Sequence, residues 1–128
     1  MTEARWYLLL SAVGLLPIAL GYGINPSALL PHLMDLQPSG TNMVHVFRAI
    51  MGLYLGMVTL WLAGAWRGGV LLRTAVISEV VFMGGLAAGR LLSLTLDGRP
   101  STIFLIYTGA ELLLTIWGVR CWSRWHER

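Results

Sequence analysis

The chain has 128 residues, of which 56 % are hydrophobic and 12 % are charged, and its mean hydropathy is +0.70. Because soluble domains carry roughly twice this share of charge, about 25 %, the composition excludes an ordinary water-soluble protein. The net charge is +3, and all nine positive side chains are arginines, which fall at predicted helix ends or inside helices. They form no basic patch, so nucleic acid is not expected as a partner.

The residue types that build cofactor and metal sites are sparse. Cys121 is the single cysteine, which excludes an internal disulfide and a cysteine-based metal cluster. The three histidines, His32, His45 and His126, are scattered over a loop, a helix and the tail, so no haem or metal site is predicted. No phosphate-binding glycine loop and no nucleophile motif occur. We therefore expect no cofactor, and the sequence favours a protein that is not an enzyme.

Four apolar stretches are long enough to cross a bilayer, which takes about 20 residues of helix. The predicted spans are residues 6–22, 42–66, 70–96 and 100–122, within one transmembrane domain of residues 1–128. The first span is expected to be retained rather than cleaved as a signal peptide, because no small-residue cleavage site follows it. Pro100 is placed to open the fourth helix.

Segment 23–40, between the first two spans, has a different pattern. Asn25-Pro26-Ser27 is typical of a helix start, and an apolar face follows it, whereas Pro31 and Pro38 prevent a long helix. The pattern favours a short interfacial helix, with an apolar-lined loop as the alternative. The predicted fold class is therefore all-α, an integral membrane four-helix bundle with a short interfacial helix between spans 1 and 2.

The arginines are distributed unevenly between the two ends of this bundle. One end carries Arg5, Arg67, Arg73, Arg120, Arg124 and Arg128, whereas only Arg99 is clearly exposed at the other. The positive-inside rule then places both termini in the cytoplasm and segment 23–40 outside. The absence of lysine is typical of a GC-rich bacterial genome, so we expect a multi-pass protein of the bacterial inner membrane.

Three ionisable residues, Arg48, Arg90 and Glu111, lie inside the apolar spans. A charge in hydrocarbon is costly unless it is paired or faces water, so such residues mark functional or packing sites. At about 1.5 Å per residue, the arginines lie roughly 9 Å below the outer ends of their helices and Glu111 roughly 16 Å. Both arginines are therefore predicted to converge on Glu111, in a cluster that either fixes the bundle or binds a ligand.

Three further polar residues are candidates for the same interior. His45 precedes Arg48 by one turn, and Glu79 shares a helix face with Arg90 at a distance of roughly 17 Å. Glu79 is expected either to be protonated or to reach an arginine in its own half of the membrane. Asp97, in the turn after the third span, would continue this series of polar residues toward the outer surface of the membrane.

Two glycine pairs, Gly52 with Gly56 and Gly85 with Gly89, have the spacing that allows close helix approach. The pattern predicts packing surfaces, and it leaves open whether they serve within the chain or toward a partner.

Three motifs and one acidic residue together carry a family resemblance. They are Gly-Tyr-Gly-x-x-Pro at 21–26, His-Val-Phe-Arg-Ala-Ile-Met-Gly-Leu-Tyr-Leu-Gly at 45–56, Gly-Arg-Leu-Leu-Ser-Leu-x-x-Asp-Gly-Arg-Pro at 89–100, and Glu111. In this order they resemble a bacterial family of small four-helix membrane proteins, the domain of unknown function DUF4345. The resemblance implies the four-span fold and the importance of Arg48, Arg90, Asp97 and Glu111, and it implies no activity.

Three hypotheses about function follow. The first is a non-catalytic accessory subunit of a larger membrane complex, with a partner membrane protein or a second copy of the chain on the glycine faces. The second is binding or transport of a small anion or an anionic lipid at Arg48, Arg90 and Glu111. The third, and the least supported, is a lipid-modifying enzyme with Glu79 or Glu111 as the acid–base group. Membrane lipids are expected to surround the protein in every case.

Overall fold

The computed structural model describes residues 2–125, which form five α-helices and no strand. The helices are α1 (Glu3–Gly23), α2 (Pro26–Leu33), α3 (Gly40–Arg67), α4 (Gly69–Leu96) and α5 (Thr102–Ser123). Helices α1, α3, α4 and α5 are each long and apolar enough to cross a membrane, which confirms the predicted all-α fold class. His126 and Arg128 lie outside the described residues.

All four long helices begin one to three residues from the predicted starts of the spans, and α5 and α3 are examples. Helix α5 begins at Thr102 and not at Pro100, because Ser101 takes the capping position before it. Helix α3 begins at Gly40, with Ser39 as its cap, two residues before the predicted start of the second span.

The short helix α2 forms as the sequence indicates. The Asn25 side chain accepts a hydrogen bond from the Ala28 backbone N–H at 3.4 Å, and Pro26 occupies the first helical position. Leu30 is buried against the bundle. After the helix, Asp35 accepts a hydrogen bond from the Ser101 hydroxyl at 2.8 Å. This contact ties segment 23–40, which we call the elbow, to the turn between α4 and α5. We call this end of the bundle the elbow end.

The opposite end, here the terminal end, joins the start of α1 to the end of α5. The Glu3 carboxylate pairs with Arg120 at 3.4 Å and with Arg124, and it accepts a hydrogen bond from the Trp117 indole at 3.1 Å. Two hydrogen bonds and one longer ion pair on a single carboxylate fix the two helix ends together.

The four long helices pack in a ring in the order α1, α3, α4, α5, and α1 closes the ring against α5 through fewer contacts than it makes with α3. Glycines allow tight approaches between helices, among them Gly23 of α1, where a Cβ would overlap the Met51 side chain of α3. A Cβ at Gly64 would overlap Ala75 of α4, and a Cβ at Gly118 would overlap the Tyr7 hydroxyl and the Val80 side chain.

The glycines predicted as packing surfaces are placed differently. A Cβ at Gly52, Gly56, Gly85 or Gly89 would meet no heavy atom within 4 Å, and all four glycines are exposed. Within the described chain they make no close helix approach, so their small surfaces face outward from the bundle.

Candidate functional site

An ion pair joins α4 to α5 inside the apolar region. Arg90 Nε donates to both carboxylate oxygens of Glu111, at 2.9 and 2.8 Å. The side chains are 22 % and 9 % exposed, so the pair is largely withdrawn from the surface. Because both bonds start at Nε, Glu111 leaves the two terminal nitrogens of the guanidinium for other acceptors.

Aromatic rings surround the Arg90 guanidinium. Its carbon lies 5.6 Å from the Phe104 ring centre and 5.8 Å from that of Tyr107, which are cation–π distances. Tyr22 of α1 and Tyr54 of α3 also interact electrostatically with Arg90 and Glu111, and their rings meet edge to face at 5.7 Å. All four long helices therefore contribute to the surroundings of the pair.

A cavity of about 130 Å³ lies next to the ion pair, between α1 and α5. Its walls are mostly apolar, and they comprise Ser11, Gly14, Leu15, Ile18, Tyr54, Met83, Leu86, Arg90, Tyr107, Ala110, Glu111 and Leu114. Gly14 and Ala110 are exposed on the bundle surface, so the cavity opens sideways, toward the hydrocarbon of a membrane. We call it the α1–α5 cleft.

Tyr7 lies one helical turn from Ser11 toward the terminal end, outside the lining of the α1–α5 cleft. Its ring meets Trp117 edge to face at 5.3 Å, and its hydroxyl fits against Gly118. Toward the elbow end, Arg90 separates the cleft from a second cavity of about 200 Å³, which Ser93 and Thr108 also line. The polar groups of the cleft are therefore concentrated at its elbow end, and Ser11 is the polar side chain farthest from them along the wall.

The structure corrects the prediction that Arg48 joins this pair. Arg48 Nη1 donates to the backbone carbonyl of Gly23 at 2.9 Å and to that of Ile24 at 3.4 Å. These carbonyls end α1, where the last turn of a helix leaves acceptors without partners and favours a positive charge. Arg48 therefore caps α1, and the pair at Glu111 has one cation and one anion, with no net charge.

The other predicted polar residues also lie apart from the ion pair. His45 is exposed on α3. Asp97 accepts a hydrogen bond from the Ser93 hydroxyl at 2.7 Å, at the end of α4. Glu79 is fully buried, and among residues 2–125 neither of its oxygens has a hydrogen-bond partner, so it does not reach Arg67 or Arg73.

Sequence reasoning missed some of the aromatic residues at the site. Phe104 could have been found, because Phe104, Tyr107 and Glu111 follow at the three- and four-residue spacing of one helix face. Tyr22 and Tyr54 carried no such signal, since they approach Arg90 from two other helices.

The chain matches the family described as Domain of unknown function (DUF4345) over residues 4–121. The matched region runs from the first turn of α1 to the last turn of α5 and includes the whole site. No curated protein and no solved structure matches the chain.

Proposed function

The chain belongs to the DUF4345 family, and we propose that it binds a membrane amphiphile in the α1–α5 cleft. The hydrocarbon part of the ligand would lie between α1 and α5, and its polar group would lie at Arg90 and Glu111. One observation carries this proposal: a buried ion pair stands at one end of an apolar cleft that opens sideways between Gly14 and Ala110.

The size of the cleft limits what part of a ligand it holds. At about 130 Å³ it is close to an engineered cavity of about 150 Å³ that binds benzene. A ring or a short run of hydrocarbon fits this space, and the remainder of a longer chain would extend through the side opening. Because hydrocarbon chains surround a membrane bundle at this depth, they are the most available occupants.

The charge of the site favours a neutral polar group over the anion considered from the sequence. Arg90 is already compensated by Glu111, so an anion would have to displace a carboxylate that accepts two hydrogen bonds. A carbonyl, ester or hydroxyl oxygen can accept from the terminal nitrogens of Arg90 and leave the pair intact. The favoured ligand is therefore an uncharged amphiphile with a hydrogen-bond acceptor.

Native mass spectrometry of gently extracted protein tests this proposal with a matched pair of variants. Gly14→Leu places a side chain in the mouth of the cleft, where a Cβ meets no atom of the protein. Gly109→Leu makes the same change on an exposed face of α5 that does not line the cleft. We expect a defined bound mass on the wild type and on Gly109→Leu, and its loss from Gly14→Leu. Equal retention by both variants would contradict binding in the cleft.

A second candidate function, the accessory subunit, is favoured by the exposed glycines. Gly52 and Gly56 on α3 and Gly85 and Gly89 on α4 are not used for packing within the described chain. Small residues on a lipid-facing surface let another helix approach closely. The variant Gly52→Leu would then release a co-purifying membrane polypeptide, or dissociate an oligomer, and would keep the bound amphiphile. If the wild-type protein always purifies without another subunit, this candidate fails.

We also propose that the terminal end faces the cytoplasm of a bacterial inner membrane, because five of the described arginines lie there: Arg5, Arg67, Arg73, Arg120 and Arg124. In a Cys121→Ala background, a cysteine introduced by Arg99→Cys would react with a membrane-impermeant thiol reagent added outside intact cells. Protection of this cysteine until the cells are opened would reverse the orientation.

A further inference from the structure

A second buried polar group lies on the terminal side of the α1–α5 cleft, and the proposed amphiphile binding makes no use of it. The Glu79 side chain, on α4, has no exposed surface, and within residues 2–125 neither carboxyl oxygen has a hydrogen-bond partner. The hydroxyls of Ser11 and Tyr7, on α1, are buried and likewise without partners in this part of the chain. Buried polar groups in native proteins are nearly always satisfied, so three such groups require an explanation.

The helix register places these three groups at similar positions along the bundle axis. Gly118 contacts both the Tyr7 hydroxyl and the Val80 side chain, so Tyr7 lies level with Glu79 and Val80. Ser11 lies one turn beyond Tyr7, and it lines the cleft together with Met83, which lies one turn beyond Glu79. Glu79 therefore occupies the layer between the floor of the cleft and the terminal end.

The charged groups of the described chain do not compensate a negative charge in this layer. On α4 itself, Arg90 lies roughly 16 Å away along the axis, and Arg73 is exposed and placed over the Trp125 ring. On α1, Arg5 reaches toward Gly68 in the α3–α4 turn.

The other charged groups at this end of the neighbouring helices are engaged or exposed: Arg120 and Arg124 pair with Glu3, and Arg67 is exposed at the end of α3. The remaining titratable groups on the neighbouring helices are neutral ones. They are Tyr7 on α1, Tyr54 on α3 and Cys121 on α5, and Cys121 interacts electrostatically with Glu79. A carboxylate without a cation or a donor costs several kcal/mol in such surroundings, whereas a neutral carboxylic acid costs much less.

A cavity on the terminal side lies between the surface and the surroundings of Glu79. A cavity of about 120 Å³ at the terminal end is lined by Glu3, Arg124 and Cys121, among others. Cys121 thus lies both at this cavity and within electrostatic range of Glu79. Cys121 therefore connects the surroundings of the buried carboxyl group with the cavity at the terminal end.

We propose that Glu79 is a proton-binding site inside the bundle, which exchanges its proton with the terminal side. In the exchange a proton from water bonds to one carboxylate oxygen of Glu79, and the reverse step breaks only that O–H bond. The hydroxyls of Tyr7 and Ser11 stabilise the ionised form by donating hydrogen bonds, directly or through water. This site shares Ser11 with the wall of the α1–α5 cleft but does not require the amphiphile proposed there.

Infrared spectroscopy of the protein in micelles of a detergent without ester groups tests this proposal, because a protonated carboxyl group absorbs apart from the amide bands but would be hidden by the ester carbonyl groups of lipids. We expect such a band at neutral pH in the wild type and in Glu111→Gln, and its absence in Glu79→Gln. The wild-type band should decrease reversibly as the pH is raised. A wild type without the band, a band that persists in Glu79→Gln, or a band that does not respond to alkali would each overturn the proposal.

A second variant keeps the test decisive if Glu79→Gln does not fold. Ser11→Ala removes one donor that stabilises the ionised carboxylate, so the loss of the band should require a higher pH than in the wild type. Gly109→Ala, on the exposed face of α5, serves as the control and should leave the midpoint unchanged. Equal midpoints in all three proteins would contradict the role of the α1 hydroxyl.

Discussion

Breaking the Arg90–Glu111 pair should destabilise the bundle by an amount that depends on which partner is removed. Arg90→Met leaves the Glu111 carboxylate, whose side chain is 9 % exposed, without its cation. Removing one partner of a buried pair costs about 3–5 kcal/mol, and protonation of Glu111 limits the loss to about 3 kcal/mol. Glu111→Gln leaves the Arg90 guanidinium without its anion. Because the Arg90 side chain is 22 % exposed and lies over two aromatic rings, we expect the free energy of unfolding to fall by only about 1–2 kcal/mol.

The double variant Arg90→Met/Glu111→Gln leaves no unpaired charge, so it should be more stable than Arg90→Met alone. We expect a coupling free energy of about 2 kcal/mol or more between the two positions. The free energy of unfolding can be measured by denaturing detergent titration in mixed micelles. The fluorescence of the six tryptophans reports the transition.

Arg48 provides the matched control, because it caps α1 and does not contact Glu111. A second cycle with Arg48→Met and Glu111→Gln should therefore be additive within about 0.5 kcal/mol. Coupling below about 0.5 kcal/mol between Arg90 and Glu111, or equal coupling in both cycles, would refute the assignment of the pair.

Three further variants test other parts of the structure by the same unfolding measurement. Gly118→Ala forces a methyl group against α1 and α4 and should lower the free energy of unfolding by about 1–3 kcal/mol. Gly52→Ala, whose methyl group meets no neighbour, is the control and should not lower it. Equal effects of the two variants would contradict the packing at Gly118. Arg48→Leu removes the donor that caps α1 and should cost about 1–2 kcal/mol, and an unchanged stability would exclude that role. Glu79→Leu replaces an unpartnered buried carboxyl group by an apolar one and should stabilise the protein by about 1 kcal/mol or more; a large destabilisation would mean that Glu79 has a partner.

The fold was predictable because hydropathy and helix signals act locally. Each long helix coincides with an apolar stretch, and Asn25 and Pro26 mark the start of α2 as their backbone preferences require. The depths of Arg90 and Glu111, which differ by roughly 7 Å, also allowed their contact to be predicted, because an arginine side chain is long enough to span such a difference.

The error at Arg48 has a physical origin. The position of a residue along its helix gives the depth of its guanidinium in the membrane but not the acceptor that it binds. For Arg48, the free carbonyls at the end of α1 compete with the Glu111 carboxylate as hydrogen-bond acceptors. Deciding between them requires the direction in which each helix face points, and that depends on the packing of the whole bundle.

The roles of the glycines were unpredictable for a related reason. The same four-residue spacing serves contacts inside a chain and contacts with a partner. Gly118, which does allow close approach, has no glycine four residues away, so the spacing does not identify it. The α1–α5 cleft depends on how far two helices diverge, which no local pattern gives.

The central claim is that the α1–α5 cleft binds an amphiphile beside Arg90 and Glu111, separately from any partner on the outer glycines. Native mass spectrometry of the wild type, Gly14→Leu and Gly52→Leu, followed by fragmentation of the bound molecule, tests it most directly. We predict an uncharged amphiphile on the wild type and on Gly52→Leu and none on Gly14→Leu. A bound molecule that remains on Gly14→Leu, or a wild type that carries none, would contradict the claim.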